Sequence, residues 1–159
     1  MAALAVCTGT ATADEPYMEM SIPMEWALEA ARGASDACPA LGSSTTATVV
    51  DQRGQMRVQL MREGAFPHTV QTSTRKAVTA ASRRRATSEI ATVGEPTLAA
   101  VFNEIGLTTL SGGVPIFYRG EVIGGIGVAG SPGEDDSGRG YDEICIDAGL
   151  AAIADRLEE

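Results

Sequence analysis

The sequence predicts an α+β fold (α/β in the broad sense), one antiparallel sheet with helices packed on it, in the order α-β-β-α-(α)-β-β-α. Three observations carry this. Two stretches, "TTATVVDQRGQMRVQLMR" and "GGVPIFYRGEVIGGIGVAG", each place turn residues between two runs of strand-forming residues. The segments around them carry helical periodicity. At 159 residues the chain is one domain by length and can bury a substantial core.

The first thirteen residues, "MAALAVCTGTATA", are small and uncharged and precede the polar "DEPY". They end like a secretory signal with an A-x-A cleavage site after Ala13, although the basic start of such a signal is missing. We expect residues 1–13 to be a signal-peptide remnant and the domain to run from 14 to 159, with a periplasmic or extracellular location. "LAVC" also approaches a lipoprotein box at Cys7, with Val6 departing from the usual small residue.

The first helix lies in residues 23–40. Trp26, Ala30, Gly33, Ala34 and Ala37 fall at helical spacing, a small-residue stripe that lets the helix press closely on a sheet. The first hairpin turns at Asp51–Gly54, and Met56, Val58 and Leu60 then alternate with polar residues. Pro67 opens a helix running to Ile90, since its missing N–H is not needed in a first turn. At 100° per residue, Val70, Thr74, Ala77, Val78 and Ala81 form the expected core face, and His68, Thr72, Arg75 and Thr79 the opposite side. Thr97 is placed to cap a short helix through Glu104. The second hairpin turns at Arg119–Gly120. A last helix spans Tyr141 to Leu157, with Ile144, Ala148, Leu150, Ala151 and Ile153 available for the core.

Charge and motif exclude several function classes. Twenty-one acids against twelve bases give a net charge of −9, which argues against nucleic acid as a partner. No segment reaches the roughly 18 apolar residues of a membrane span, so membrane insertion is not expected. "GIGVAG" matches G-x-G-x-x-G, but no helix opens at these glycines and three acids follow, so a dinucleotide site is rejected. Glycines in a strand point instead to a bulge or a close backbone approach. "GEDDSGRGYDE" fails the EF-hand spacing and reads as a solvated acidic loop before a helix whose first turn suits Asp142 and Glu143. With one histidine in the chain, a multi-histidine zinc site is excluded. No serine elbow exists, so no catalytic residue is assigned. Cys38 and Cys145 are read either as a disulfide in an oxidising compartment or as two buried thiols.

His68 remains. It is either a helix-start residue bonded locally or a ligand. Phe66 beside it is apolar, and Thr72, Arg75, Lys76 and Thr79 follow within a few turns. That set offers an imidazole for iron, apolar contact for a macrocycle, and cations or hydroxyls for its carboxylates.

The pattern as a whole resembles the GlcG/HbpS family of haem-binding domains, which also occurs at the C-terminus of PduO-type proteins. "VVDQRGQMRVQLMREGAFPHT", "RKAVTAASRRRAT" and "GGVPIFYRGEVIGGIGVAGSPGEDDSGRGYDEICIDAGLAAI" carry the resemblance, over about residues 22 to 157. Two departures stand out. The family's alanine–tyrosine–threonine step reads Ala77-Val78-Thr79 here, and the only helical acid-x-x-acid candidate for iron is Asp155-x-x-Glu158. The resemblance implies a profilin-like fold, a homo-oligomer (often an octamer), haem as cofactor, and a sensor or transport protein as partner. It implies haem sequestration, storage or sensing, with His68 carried over as the iron ligand; from the helix spacing we expect Arg75 or Lys76 at a propionate, with Phe66, Thr72 and Thr79 beside the site. The alternative is an enzyme or accessory protein of glycolate, glycerol or diol metabolism, with Lys76 or Asp51 at its site.

Overall fold

The computed structural model describes residues 16, 18–38, 42, 44–91 and 96–158. The leader, its cleavage point and Cys7 lie outside these residues. The described chain forms α1 (Met24–Ala37), β1 (Thr46–Asp51), β2 (Met56–Met61), α2 (His68–Arg83), α3 (Thr87–Ala91) and α4 (Pro96–Glu104). It continues with β3 (Gly113–Tyr118), β4 (Glu121–Ala129), α5 (Tyr141–Ala151) and α6 (Ala154–Leu157). No helix among the described residues is long and apolar enough to cross a membrane.

Both hairpins form, and they join through β1 and β4 into a four-stranded antiparallel sheet of order β2-β1-β4-β3. Each turn follows from its residues. Asp51 accepts the N–H groups of Arg53 and Gln55 on its carboxylate, and Gly54 takes the left-handed conformation that closes the turn. Arg119 and Gly120 both have positive φ, the geometry a two-residue hairpin needs.

Side chains alternate across β1, and the alternation sorts the helices onto two faces. Ala47 and Val49 join Ala27, Ala30, Ala31 and Ala34 of α1 and Cys145 and Ile146 of α5 in the main core. Thr46, Thr48 and Val50 face α2 instead. The glycines of "GIGVAG" explain themselves here. A Cβ on Gly127 would lie 2.2 Å from the carbonyl oxygen of Ser73, and one on Gly125 2.5 Å from that of Ala77. The helix therefore rides on bare strand backbone, the close approach expected of these glycines.

Three expectations are corrected. The helix from Pro67 does not continue to Ile90: it stops at Arg84, which turns left-handed (φ 55°), and α3 follows. The break brings the Thr87 hydroxyl under the Gly113 N–H, at 2.9 Å. The helix from Tyr141 likewise ends at Ala151, and its inward stripe is Cys145, Ile146 and Gly149, with Ala148 and Ala151 exposed. The buried side of α2 is rotated from the expected one. Thr69, Ser73, Lys76, Ala77, Thr79, Ala80 and Ala81 are buried, while Val70, Thr74 and Val78 are only half-buried. The reason is that this helix meets the sheet through hydroxyls. Thr69 bonds Thr46 and Ser73 bonds Thr48, each at 2.7 Å.

The two cysteines are a disulfide. Cys38 just past α1 and Cys145 in α5 stand with Cα atoms 5.4 Å apart, inside the range a bridge spans.

Candidate functional site

The start of α2 is set by Pro67, whose fixed φ of −54° already suits a helix. The Phe66 carbonyl then accepts the Thr69 N–H at 2.9 Å and the Thr69 hydroxyl at 2.6 Å. These bonds hold the "FPH" corner so that the Phe66 ring stacks on the His68 imidazole, with centroids 5.9 Å apart and planes 15° from parallel. Both rings are exposed. One turn on, the Thr72 hydroxyl donates to the His68 carbonyl.

Facing this corner is the chain that leaves β4. Gly130 and Gly133 have positive φ, and between them Ser131 and Pro132 form a wall. The first residues of α5 and the Leu110–Ser111 stretch complete a cleft of about 490 Å³. Its size lies within the roughly 300–1,000 Å³ of small-molecule and cofactor sites. Phe66, Leu110, Pro132 and Tyr141 give it apolar and aromatic lining.

Lys76 lies in this cleft's wall but is almost wholly buried, at 4% exposure. Its ammonium donates to the Val128 carbonyl at 2.9 Å and to Asp142 Oδ2 at 2.7 Å. The other Asp142 oxygen accepts the Ser131 N–H at 2.9 Å. Burial pushes the Asp142 carboxyl above the ordinary aspartate value, and the bonds from Lys76 and Ser131 offset only part of that.

Of the six residues read from the sequence, Phe66, His68, Thr72 and Lys76 meet on this cleft. Arg75 and Thr79 are not among its lining residues. Arg75 donates to the Asn103 carbonyl at 3.0 Å, fastening the end of α4. Thr79, expected to face outward, is fully buried. It donates to the Arg75 carbonyl and accepts the Thr108 N–H. Lys76 stands in the wall of the cleft and also holds the fold there through Val128 and Asp142. Asp51 serves the hairpin turn. Asp155 is exposed on the short α6, and no metal-holding group of three or more histidine, cysteine or carboxylate side chains occurs among the described residues.

Sequence reasoning missed the facing wall, Leu110, Ser111, Ser131, Pro132 and Tyr141, and missed Asp142 as the partner of Lys76. Asp142 was read as a first-turn acid suited to the helix dipole, which is a local signal. Its bond to a lysine 66 residues earlier has no local signature. The acidic loop before it is self-contained. Asp135 accepts bonds from Ser137 and Arg139, which hold its carboxyl below the ordinary value.

Comparison with known proteins places this geometry. The model of the family described as "Haem degrading protein HbpS-like" matches residues 22–150. The fold superposes on the crystal structure of HbpS with a TM-score of 0.77 at 35% identity, covering 87% of this chain and 94% of that one. It superposes on the crystal structure of PduOC in complex with heme with a TM-score of 0.72 at 22% identity, covering 84% and 96%. An uncharacterised 15.0 kDa protein of Citrobacter freundii, from the dhaT-dhaS intergenic region, is 31% identical over 93 residues, which is 56% of this chain and 66% of that protein.

Proposed function

The chain belongs to the HbpS-like family of haem-degrading proteins, and from that premise we propose that it binds haem in the cleft at the start of α2. The observation that carries the reading is the exposed His68 imidazole, stacked on Phe66 at the lip of a cleft with apolar and aromatic walls. An imidazole is a common axial ligand of haem iron, and Phe66, Leu110, Pro132 and Tyr141 suit the face of a macrocycle. Ligation requires the imidazole to be neutral, so binding weakens on acidification. The heme complex of the structural neighbour PduOC supports the same reading. The metabolic alternative gains less support, because Lys76 and Asp51 are both engaged in holding the fold.

We read the physiological role as haem sequestration, storage or sensing by an exported homo-oligomer, of octameric size, whose mass sedimentation would measure. A disulfide in the core is consistent with an oxidising compartment. The test of the haem site is a hemin titration followed at the Soret band. Wild type is expected to give a saturable, shifted band, and His68→Ala to lose affinity tenfold or more with a changed spectrum. Unchanged spectrum and affinity in His68→Ala would remove His68 as the ligand.

A further inference from the structure

Every methionine among the described residues lies at the surface: Met18, Met20, Met24, Met56 and Met61 are between 42% and 85% exposed. The core is filled mainly by isoleucine, valine and alanine, and no methionine is buried in it. This reverses the ordinary use of methionine as an adaptable filler of cores, so packing does not account for these side chains. Three of the five stand together in "MEMSIPM", residues 18 to 24. The segment is tethered to the fold. Ile22 is buried and donates its N–H to the Ile123 carbonyl at 2.9 Å, and Glu19 pairs with Arg53. Met18 and Met20 are two residues apart on this tethered chain, at most about 7 Å between Cα atoms. Met20 lines a hollow of about 240 Å³ with Pro23, Trp26, Tyr118 and Ile123. Met18 lines the adjoining hollow, and Ser21 borders both. Met24 opens α1 directly after Pro23.

We infer that Met18, Met20 and Met24, beside Trp26, form a site for copper(I). A thioether is a soft, uncharged ligand, which favours this soft monovalent ion over hard divalent ones. Other ligand sets do not compete for it among the described residues. Histidine, cysteine and carboxylate side chains form no group of three or more, and Cys38 and Cys145 are tied to each other. An indole beside the sulfurs adds attraction for a cation through its ring face. The net charge of −9, with Glu25 next to Met24, draws cations to this surface. The site shares no lining residue with the cleft at His68, so it stands independently of the haem reading.

The test is an anaerobic titration of the full chain with copper(I) against a colorimetric copper(I) chelator. A Cys7→Ser background removes the one cysteine outside the disulfide. Trp26 is the only tryptophan, so its emission reports on this place alone. One equivalent is expected to bind and to quench that emission by half or more, whereas zinc leaves it unchanged. Met20→Leu keeps the apolar shape and removes the sulfur; it should weaken binding at least tenfold, and Met18→Leu several-fold. Met61→Leu and His68→Ala should change nothing. Thioethers have no proton to exchange, so affinity should also hold constant between about pH 5 and pH 8, unlike ligation by an imidazole. Absence of binding overturns the site. So does binding without quenching of Trp26, binding that survives Met18→Leu/Met20→Leu, or binding that His68→Ala abolishes.

Discussion

At the scale of single residues, the polar groups between α2 and the sheet decide how the site is held. Thr48 Oγ1 meets Ser73 Oγ at 2.7 Å and accepts a bond from Gln59 at 2.8 Å, all out of contact with solvent on the Thr48 side. Thr48→Val keeps the shape and removes the hydroxyl. Its partners have other bonds to fall back on, since Ser73 also reaches the Val70 carbonyl and Gln59 reaches Val70 and Thr74. The expected loss is therefore modest, about 1–2 kcal/mol, read from the urea midpoint. No loss at all would mean that these hydroxyls do not fix the helix. The same hydroxyls explain what the sequence hid. An amphipathic reading looks for apolar residues on the buried side, and α2 buries Thr69, Ser73 and Thr79 instead. Residues whose chemistry is local were legible, namely Phe66, His68 and Thr72. Those whose position depends on the direction α2 faces, namely Arg75 and Thr79, were not.

At the scale of elements, the approach of α2 to the sheet depends on three glycines. A Cβ on Gly113 would stand 2.4 Å from the Lys76 carbonyl oxygen, and those on Gly125 and Gly127 would collide with the helix backbone as closely. These obstacles are main-chain atoms, so no side chain can swing aside. Gly127→Ala is expected to force α2 off the strand and destabilise by about 1–3 kcal/mol or more, with the cleft distorted because His68, Thr72 and Lys76 ride on that helix. Equilibrium unfolding of the variant checks this, and stability equal to wild type would show that the helix can lift freely. Gly127 lies in an extended strand with no positive φ to lose, so the effect isolates sterics. Elements and their order were legible because turn chemistry and strand alternation are local. Helix ends were not. Arg84 stops α2 without a glycine, and the gain from stopping is a contact between Thr87 and Gly113, 26 residues away.

At the scale of the molecule, the face of the sheet opposite α2 is closed by α1 and α5, and these are also the two helices the disulfide ties. They pack nearly backbone to backbone: a Cβ on Gly149 would lie 2.4 Å from the Ala30 carbonyl oxygen and one on Gly33 3.0 Å from that of Ala148. Parity and compartment raised the cysteine pair from sequence. That α1 and α5 are neighbours is a fact of topology, which spacing does not reveal. Cys38 and Cys145 are 107 residues apart, and both are fully buried. Cross-linking a loop of that length removes much of the unfolded chain's freedom, worth about 4–5 kcal/mol in the chain-entropy description. The native fold also shields the bond, so a reductant should act only as the chain opens. We therefore expect denaturation with dithiothreitol present to show a midpoint lower by about 3–5 kcal/mol in free energy, while reduction under native conditions is slow. Coincident curves for the reduced and oxidised protein would mean that α1 and α5 hold together by packing alone. Because α5 begins at Tyr141 and Asp142 on the cleft, loss of this staple should also lower hemin affinity, which links the molecule's global stability to its site.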